Sequence, residues 1–516
     1  MSQPALFFVI LLPFIGAIVT AFISQPQVAR TFALLVSFVT FVTTILVAFS
    51  NLDGTATYGM DGANWLSISS IGFGFKLACD GINMWLMLLT AALTPLVILS
   101  TGTHKEAQQN MRWMYVWILV LLGAMLGTFL AADGLLFYFF FELTLVPTTL
   151  MIAIWGGPDR RPAAAKFFIY TFAGSVFMLI GLIYLGNVAG SFEITKLVAT
   201  AQDGTLISST ERYWLALAFV IGFLVKTPVF PLNTWQPLTY AQAPNAAAVL
   251  LAAVMSKLGT YGLLRLALPI GFVGTHTNDG LTQVLIVLTL ISIIYGGLIA
   301  WVQTDMAKIM AYSSLSHLGL CVLAMLGLST LSIQGALMYM IAHALSTAGL
   351  FFIIGMIERR TGTRDITQIS GIFKTMPVLG TMLVGFTMAS IGLPITAGFV
   401  GEFLSLQGVM NTLGIGVTII AATGIVLGAI YMLNMVAKVG FGPLKLPDAA
   451  QTHDATKREF ACLLPIAIAI LLLGIQPTFV LNSFKTDVQA IHSPAPKPMT
   501  IDLSPMTTES DVFDSK

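Results

Sequence analysis

The sequence predicts an all-α polytopic membrane protein of about fourteen transmembrane helices, with two inverted five-helix repeats that each contain a broken helix. Of the 516 residues, 57% are hydrophobic and only 9% are charged, whereas a soluble domain carries roughly 25% charged residues. Apolar runs of about 20 residues, each long enough to cross a bilayer core, recur along the whole chain. Two runs are too long and too rich in helix breakers to be simple helices.

Polar interruptions between the apolar runs give the order of the spans. The first run has neither a basic start nor a clear small-residue cleavage site, so we interpret it as a spanning helix and not as a removed signal peptide. The expected spans are 4–24, 31–50, 81–101, 113–131, 134–156, 163–187, 213–241, 244–270, 282–302, 306–328, 332–358, 376–411, 413–440 and 459–481.

The seventh and twelfth spans are the two long runs. At 1.5 Å per residue, 213–241 would reach about 43 Å and 376–411 about 54 Å. Both are expected to be broken helices, because the first run contains Pro228, Pro231 and Pro237 and the second contains Gly392, Pro394 and Gly398. Broken backbone at membrane depth occurs where it is buried in protein or lines a hydrated cavity. Matching breaks in two halves indicate an ion pathway between repeats; the alternative is a coincidence of two proline-bent helices.

The spans divide the chain into five expected parts. These are three N-terminal helices in 1–112, a first repeat in 113–270, a second repeat in 282–440, a loop and the last helix in 441–481, and a disordered tail in 482–516 that is rich in Pro and Ser.

Basic residues are distributed unequally between the two sides of these helices. Fifteen of the 24 Lys and Arg residues fall in or beside loops of one side and six on the other, while Lys226, Lys257 and Arg265 lie inside spans. The positive-inside rule then predicts cytoplasmic basic loops, with both termini outside, in a bacterial inner membrane. In an organelle the basic side would be the matrix side.

The composition excludes a soluble enzyme, a nucleic-acid binder and a secreted disulfide scaffold. Cys79, Cys321 and Cys462 are far apart and have no metal-ligand spacing. No dinucleotide-binding or P-loop glycine motif is present. We therefore predict no cofactor or metal site in this chain, and redox chemistry associated with it would occur on another polypeptide.

Ionisable residues inside the spans are the candidate functional groups, because each costs roughly 2.5 to 3.5 kcal/mol on insertion scales. A buried ammonium releases its proton readily and a nearby carboxylate reverses this effect, while histidine exchanges protons through either ring nitrogen. Neighbouring hydroxyl groups are expected to anchor a water wire. The candidates for a proton relay are Glu142, Lys226, Lys257, His317, His343 and Glu402.

Each candidate also has a structural interpretation. Glu142 and Lys226 would form a static buried ion pair, the histidines would be satisfied core residues, and Glu402 would favour the positive end of a half-helix. Two further charged residues are interpreted structurally from the start. Arg265 is expected to snorkel to the outer interface, and Asp133 is expected to cap the fifth helix.

Four strings of the sequence resemble a known family. They are Phe137-Tyr-Phe-Phe-Phe-Glu-Leu-Thr-Leu-Val-Pro147, Val225-Lys-Thr-Pro-Val-Phe-Pro-Leu-Asn-Thr-Trp235, Lys257-Leu-Gly-Thr-Tyr-Gly-Leu-Leu-Arg265 and Gly392-Leu-Pro-Ile-Thr-Ala-Gly-Phe-Val-Gly-Glu-Phe403. They resemble the antiporter-like proton-channel subunits of type I NADH:quinone oxidoreductase (respiratory complex I), which are related to subunits of Mrp-type sodium/proton antiporters. The resemblance covers nearly all of residues 1–481.

The resemblance implies a proton-translocating subunit driven by redox chemistry in other subunits. By this resemblance Glu142 and Lys226 form a first-half couple, Lys257 is the central relay lysine, His317 and His343 continue the axis, and Glu402 is the terminal acidic group. The implied partners are other membrane subunits of complex I, including sister antiporter-like subunits, within the lipid bilayer and without nucleic acid. Flavin, iron–sulfur clusters and quinone are expected in those partners. An Mrp-type antiporter subunit and a lipid-sealed structural subunit with static charges are the alternatives.

The chain departs from the family pattern after the first break. The usual pattern is close to His-Thr-Trp-Leu-Pro-Asp-Ala-His-x-Glu-Ala-Pro. Here Asn233 and Tyr240 replace the two histidines, and Leu238 and Gln242 replace the two acids. Lys438 stands where the family has an arginine. Proton access near this break is therefore expected to differ from that of typical members.

Overall fold

The computed structural model describes residues 2–50, 55–59, 67–68, 70, 72–101, 110–273, 280–447 and 453–492. Its α-helices are α1 (Ser2–Phe22), α2 (Pro26–Phe49), α3 (Gly81–Ser100), α4 (Met111–Leu130), α5 (Gly134–Leu143), α6 (Leu145–Trp155), α7 (Arg160–Ala189), α8 (Ile194–Gln202), α9 (Ser209–Lys226), α10 (Gln236–Gln242), α11 (Asn245–Leu250), α12 (Ser256–Gly262), α13 (Leu268–Gly271), α14 (Gly280–Val302), α15 (Met306–Leu326), α16 (Thr330–Thr361), α17 (Pro377–Ser390), α18 (Ala397–Leu413), α19 (Ile415–Gly440), α20 (Lys457–Ile475) and α21 (Thr478–His492). Leu251–Met255 and Leu263–Ala267 are π-helical, and Ile372–Lys374 is a 3-10 helix. Strands β1 (Ala56–Tyr58) and β2 (Leu77–Cys79) pair antiparallel.

Within the described ranges, twelve helical stretches are long and apolar enough to cross a membrane. They correspond to twelve of the fourteen expected spans, and the two that remain are the long runs 213–241 and 376–411. Large apolar side chains such as Phe22, Trp214 and Ile415 are exposed on the outer helices, which is typical of a surface that meets lipid. The chain is therefore an all-α, multi-pass membrane protein. The total of fourteen crossings and the inverted relation of the repeats stay predictions.

Helix breaks occur in both long runs. In the run 213–241, α9 ends at Lys226 and α10 begins at Gln236. In the run 376–411, α17 ends at Ser390 and α18 begins at Ala397. Pro237, one of the prolines in the first run, lies in the first turn of α10, where proline is tolerated. The helix is therefore broken by the residues between Lys226 and Gln236, which include Pro228 and Pro231.

Gly392 is required in the second break for two reasons. Its φ is +73°, a conformation that glycine adopts at no steric cost. A Cβ at this position would also lie 2.1 Å from Glu402 Oε2. The loop backbone therefore packs directly against one of the candidate relay carboxylates.

The prediction of a disordered tail from residue 482 is wrong for residues 482–492, which belong to α21. Phe484 is fully buried, and the Trp85 Nε1–H group donates to Ser483 Oγ at 2.7 Å. This segment is ordered because its apolar face packs on the bundle. Its polar residues keep its mean hydropathy too low for it to be recognised as a membrane span. Residues 493–516 lie outside the described residues.

Two spans form the centre of the bundle. Every residue in the most apolar window of Asn245–Gly271 and of α16 is buried inside the chain, whereas most of the corresponding windows of α19 and α20 is exposed. Lys257 lies on the first of these central spans and His343 on the second. The fold therefore places these two ionisable side chains as far from lipid as the bundle allows.

Candidate functional site

Lys226 is the last residue of α9, directly before the first break. It is 2% exposed. Its Nζ donates to Thr144 Oγ1 at 2.8 Å and lies 4.5 Å from the centroid of the Phe141 ring. Thr144 occupies the junction between α5 and α6. A hydroxyl group and the face of an aromatic ring therefore hold this ammonium group.

Glu142 lies two residues before Thr144 but does not close an ion pair with Lys226. Among the residues that the structure describes, no carboxylate oxygen lies within 4.0 Å of Lys226 Nζ. Glu142 Oε1 is buried and has no hydrogen-bond partner in the described part of the chain. Glu142 and the threonine that accepts from Lys226 lie two residues apart at the end of α5. The closed static pair, the structural alternative for these residues, is therefore not the arrangement found.

Lys257 is completely buried on α12, between the two π-helical segments. Its Nζ lies 2.9 Å from Ala252 O, 3.2 Å from Ser256 Oγ and 2.8 Å from His343 Nδ1. Three acceptors match the three N–H donors of an ammonium group. No carboxylate of the described residues lies within 4.0 Å of it. π-Helical turns are often found at functional sites, and here they flank the buried lysine.

His343 connects Lys257 to the second histidine. Its Nε2 lies 3.3 Å from Thr347 Oγ1, and its ring centroid is 5.4 Å from that of His317. When the lysine is protonated, His343 accepts at Nδ1 and therefore carries its own proton on Nε2. The two imidazole rings are neighbours in the buried centre of the bundle.

Tyr339 joins His317 to Glu402. Its hydroxyl group hydrogen-bonds to His317 Nδ1 and donates to Glu402 Oε1 at 2.8 Å. A phenol has a single proton, so when it donates to the carboxylate it accepts from His317 Nδ1–H. His317 Nε2 in turn lies 3.4 Å from Tyr431 Oη. Lys257, His343, His317, Tyr339 and Glu402 thus form one buried series of neighbouring groups.

The six predicted site residues fall into two groups. Glu142 and Lys226 form the first group, and the other four belong to the series that starts at Lys257. Within the described residues, no hydrogen bond joins Lys226 to Lys257. Thr227 Oγ1 is buried and unpartnered in the same part of the chain, and it would lie 2.3 Å from a Cβ on Gly259. Thr227 follows Lys226 and Gly259 lies two residues after Lys257, so α9 and α12 pack closely beside both lysines.

Sequence reasoning missed Tyr339 in the series and Tyr431 beside it. Tyr339 precedes His343 by four residues on α16, so the two share a helix face, and this spacing is the signal that would have identified it. Tyr431 comes from α19, and its hydroxyl group donates to Ser313 Oγ at 2.8 Å. Of the hydroxyl groups expected near the histidines, that of Thr347 contacts the series at His343 Nε2, and that of Ser313 accepts from Tyr431.

Two charged residues outside the series have structural roles. Arg265 forms an ion pair with Asp80 and its Nε donates to Tyr261 Oη at 3.2 Å, so it is anchored within the protein and does not simply snorkel. Asp133 caps α5, since its Oδ1 accepts from the Leu135 N–H group at 2.9 Å. The predicted cap is therefore confirmed.

No group of three or more side chains that could hold a metal ion occurs in the described part of the chain. The described chemistry of the site consists of ammonium, imidazole, phenol and carboxyl groups. Such groups accept and release protons.

The fold and the site correspond to a known class of membrane protein. The sequence model of the family described as "NADH:quinone oxidoreductase/Mrp antiporter, TM" matches residues 131–430. The chain belongs to this antiporter-like family, and the resemblance carried by the four strings is confirmed.

Relatives and solved structures narrow the comparison to one kind of subunit. NADH-quinone oxidoreductase subunit M from Rickettsia prowazekii (strain Madrid E) is 34% identical over 496 residues, which cover 95% of this chain and 99% of the relative. F(420)H(2) dehydrogenase subunit M from Methanosarcina mazei is 36% identical over 501 residues and covers 95% of this chain and 98% of the relative. A chain of respiratory complex I from Thermus thermophilus with bound NADH superimposes with a TM-score of 0.83 at 25% identity, covering 95% of this chain and 100% of that chain. This chain is therefore similar to subunit M over nearly its whole length.

Proposed function

We propose that this chain is the proton-translocating subunit M of a complex I-like NADH:quinone oxidoreductase. The observation that carries the proposal is the buried series from Lys257 through the two histidines to Glu402. Ionisable groups are costly at membrane depth, and these groups contact one another instead of forming closed ion pairs. Membership of the antiporter-like family and full-length similarity to subunit M support the same function.

Protons would move along Glu142, Lys226, Lys257, His343, His317 and Glu402, driven by redox energy released in other subunits. His343 precedes His317 in this order because His343 is the histidine that contacts Lys257. The contact between Lys257 and His343 joins the two predicted repeats, 113–270 and 282–440. Histidine suits this position because it can accept a proton at one ring nitrogen and release another from the second. We include Tyr339 as the group that passes protons between His317 and Glu402.

The proposed partners are other membrane subunits of the complex, including sister antiporter-like subunits. Flavin, iron–sulfur clusters and quinone would belong to partner subunits, and this chain would contribute no redox centre. The proposed location is a bacterial inner membrane with the basic loops in the cytoplasm and both termini outside.

Isolation of the native assembly tests this function against the Mrp-type alternative. A complex I-like assembly should co-purify with flavin and iron–sulfur absorbance, and both NADH and F420H2 should be tried as electron donors because relatives of both kinds match this chain. An assembly that exchanges sodium for protons and carries no redox cofactor would instead favour the antiporter.

The sidedness is tested by labelling single cysteines from each side of the membrane. The excess of basic residues predicts that Arg160, Arg359 and Lys457 face the cytoplasm and that Lys485 faces outward. The native cysteines are buried, so a reagent that does not cross the membrane should label cysteines introduced at these positions. Labelling of position 160 from outside intact cells would refute the orientation.

Glu142→Gln is expected to leave the complex assembled and to lower redox-driven proton pumping on the order of tenfold, which corresponds to ~1.4 kcal/mol. The amide cannot ionise and therefore no longer influences the charge on Lys226. Glu142→Asp should be milder, because it keeps a titratable carboxyl group. Proton-gradient dye signals in vesicles, measured beside electron transfer and subunit content, test the expectation.

Asp159→Asn is the matched control for this pair of variants. Asp159 is an exposed carboxylate that makes no side-chain cap to α7. Its amide variant should pump at the native rate. A normal gradient from assembled Glu142→Gln would show that this carboxyl group is not part of the relay.

A further inference from the structure

A long apolar groove runs along the outside of the bundle, away from the proton series. We call it the lipid groove. It has a volume of about 580 Å³ and is formed by α2, α3 and α20 with Leu345 of α16. Apart from Thr31, every residue that lines it is apolar. Leu35 and Phe38 on its wall are more than half exposed, so the groove opens sideways to the bilayer.

A second cavity of about 670 Å³, lined in part by charged and polar residues, adjoins one end of the groove and shares Thr31 with it. At this junction Arg30 Nη2 donates to Leu99 O at 3.0 Å, and Arg359 Nη1 donates to Ser100 O at 2.9 Å. The two guanidinium groups thus bond to successive carbonyl groups at the end of α3, and both arginines line this cavity. Arg458 directly precedes Glu459, whose Oε1 lies 3.5 Å from Arg359 Nη2. We call Arg30, Arg359 and Arg458 the arginine cluster.

The carboxylates beside the arginine cluster neutralise it only in part. Glu459 accepts two hydrogen bonds from Arg360, at 3.0 and 2.7 Å, and Glu358 pairs with Arg364 at 3.4 Å. Glu459 also lies 3.5 Å from Arg359 Nη2, yet this buried nitrogen has no hydrogen-bond partner among the described residues. Among the described residues around the arginine cluster, positive charges therefore outnumber negative ones.

The length of the groove matches one leaflet of a membrane. Arg30 is the member of the arginine cluster that lies on α2, and Phe41 lines the groove farther along the same helix. The axis of α2 rises about 16 Å between these two residues. Half of a hydrocarbon core is roughly 15 Å thick. An acyl chain in the groove would thus place its phosphate at the arginines.

From this geometry we propose that the lipid groove and the arginine cluster form a binding site for one membrane phospholipid with an anionic headgroup. Arginine matches phosphate oxygens through its planar array of donors, and the apolar wall takes the acyl chain. The site is separate from the proton series, so the proposal does not depend on the proposed function. Leu345 lies two residues from His343 on α16, which brings the bound chain against a helix of the relay.

Native mass spectrometry of the full-length chain in detergent tests the charge requirement. Phosphatidylglycerol should bind more tightly than phosphatidylcholine. Arg30→Gln and Arg359→Gln should each weaken phosphatidylglycerol binding about fivefold, as expected for loss of one basic residue at a membrane surface, and should leave phosphatidylcholine binding unchanged. Arg161→Gln, at an exposed arginine outside the cluster, is the matched control and should bind both lipids as the native chain does.

A second pair of variants tests the groove itself. Leu35→Trp fills the groove from its exposed wall and should displace phosphatidylglycerol, whereas Leu46→Trp, at a lipid-facing position of α2 that is 65% exposed and does not line the groove, should not. Equal affinity for the two lipids, unchanged binding in both arginine variants, or retention of phosphatidylglycerol by Leu35→Trp would overturn the proposal. So would a structure of the assembled complex in which a partner side chain fills the groove.

Discussion

Lys257→Ala is expected to stop redox-driven proton pumping in an assembled complex, with a loss on the order of tenfold or more in protons moved per electron transferred. Lys257 Nζ is the only group of the described chain that bonds to His343 Nδ1. Without the Lys257 ammonium group, no other protonatable group of the described residues bonds to His343 Nδ1 and links the two predicted repeats at this point. Vesicle proton gradients, normalised to electron transfer and to subunit content, measure the effect.

Two further variants make the result specific. Lys257→Met keeps most of the side-chain volume and should fail to pump in the same way, which separates loss of the ammonium group from loss of packing. Lys196→Ala removes a lysine whose side chain is 59% exposed and should pump normally. Native pumping by assembled Lys257→Ala and Lys257→Met would show that the buried series is a static scaffold.

Tyr339→Phe is expected to reduce pumping about tenfold, which corresponds to ~1.4 kcal/mol and lies within the usual cost of leaving buried polar partners unsatisfied. The variant keeps the ring but removes the only group that bonds both His317 and Glu402 in the described structure. Glu402→Gln should pump at least as poorly, because the amide still accepts a hydrogen bond but cannot take up or release a proton. Initial rates of acidification in vesicles, recorded at several pH values, measure both variants.

A merely structural tyrosine gives a different pattern. Tyr339→Phe would then lower the amount of assembled complex and leave the pumping rate per complex and its pH profile unchanged. Tyr295→Phe is the control, since Tyr295 lies on the lipid-facing helix α14 and is 37% exposed. Native pumping per assembled complex in Tyr339→Phe would remove the tyrosine from the pathway.

The membrane fold is predictable because its signals are local. Each span is a continuous apolar run, and each break follows from prolines or glycines within about ten residues of chain. α21 was missed because its order comes from a buried face, including Phe484 and the Trp85–Ser483 contact, that forms only when distant segments pack together.

The site was predictable to the extent that charge is conspicuous in an apolar sequence. Lysine, histidine and glutamate stand out within spans, whereas a tyrosine such as Tyr339 is ordinary there because its amphipathic ring suits many membrane positions. It was harder to predict which of these side chains bond to each other than to predict which of them belong to the site. Lys226 bonds to Thr144, 82 residues away in sequence, and not to Glu142, and only the packing of α5, α6 and α9 determines this choice.

The hydrogen bond between Lys257 and His343 limits the charge that this point of the chain can hold. The two nitrogens are 2.8 Å apart, and the bond exists only while one of them offers a lone pair. If both side chains were protonated, two N–H groups would face each other, and two positive charges would repel strongly in a medium of low dielectric constant. The pair therefore holds one excess proton or none. A second proton reaches Lys257 only after the first has moved beyond His343, so protons that take this route pass in single file.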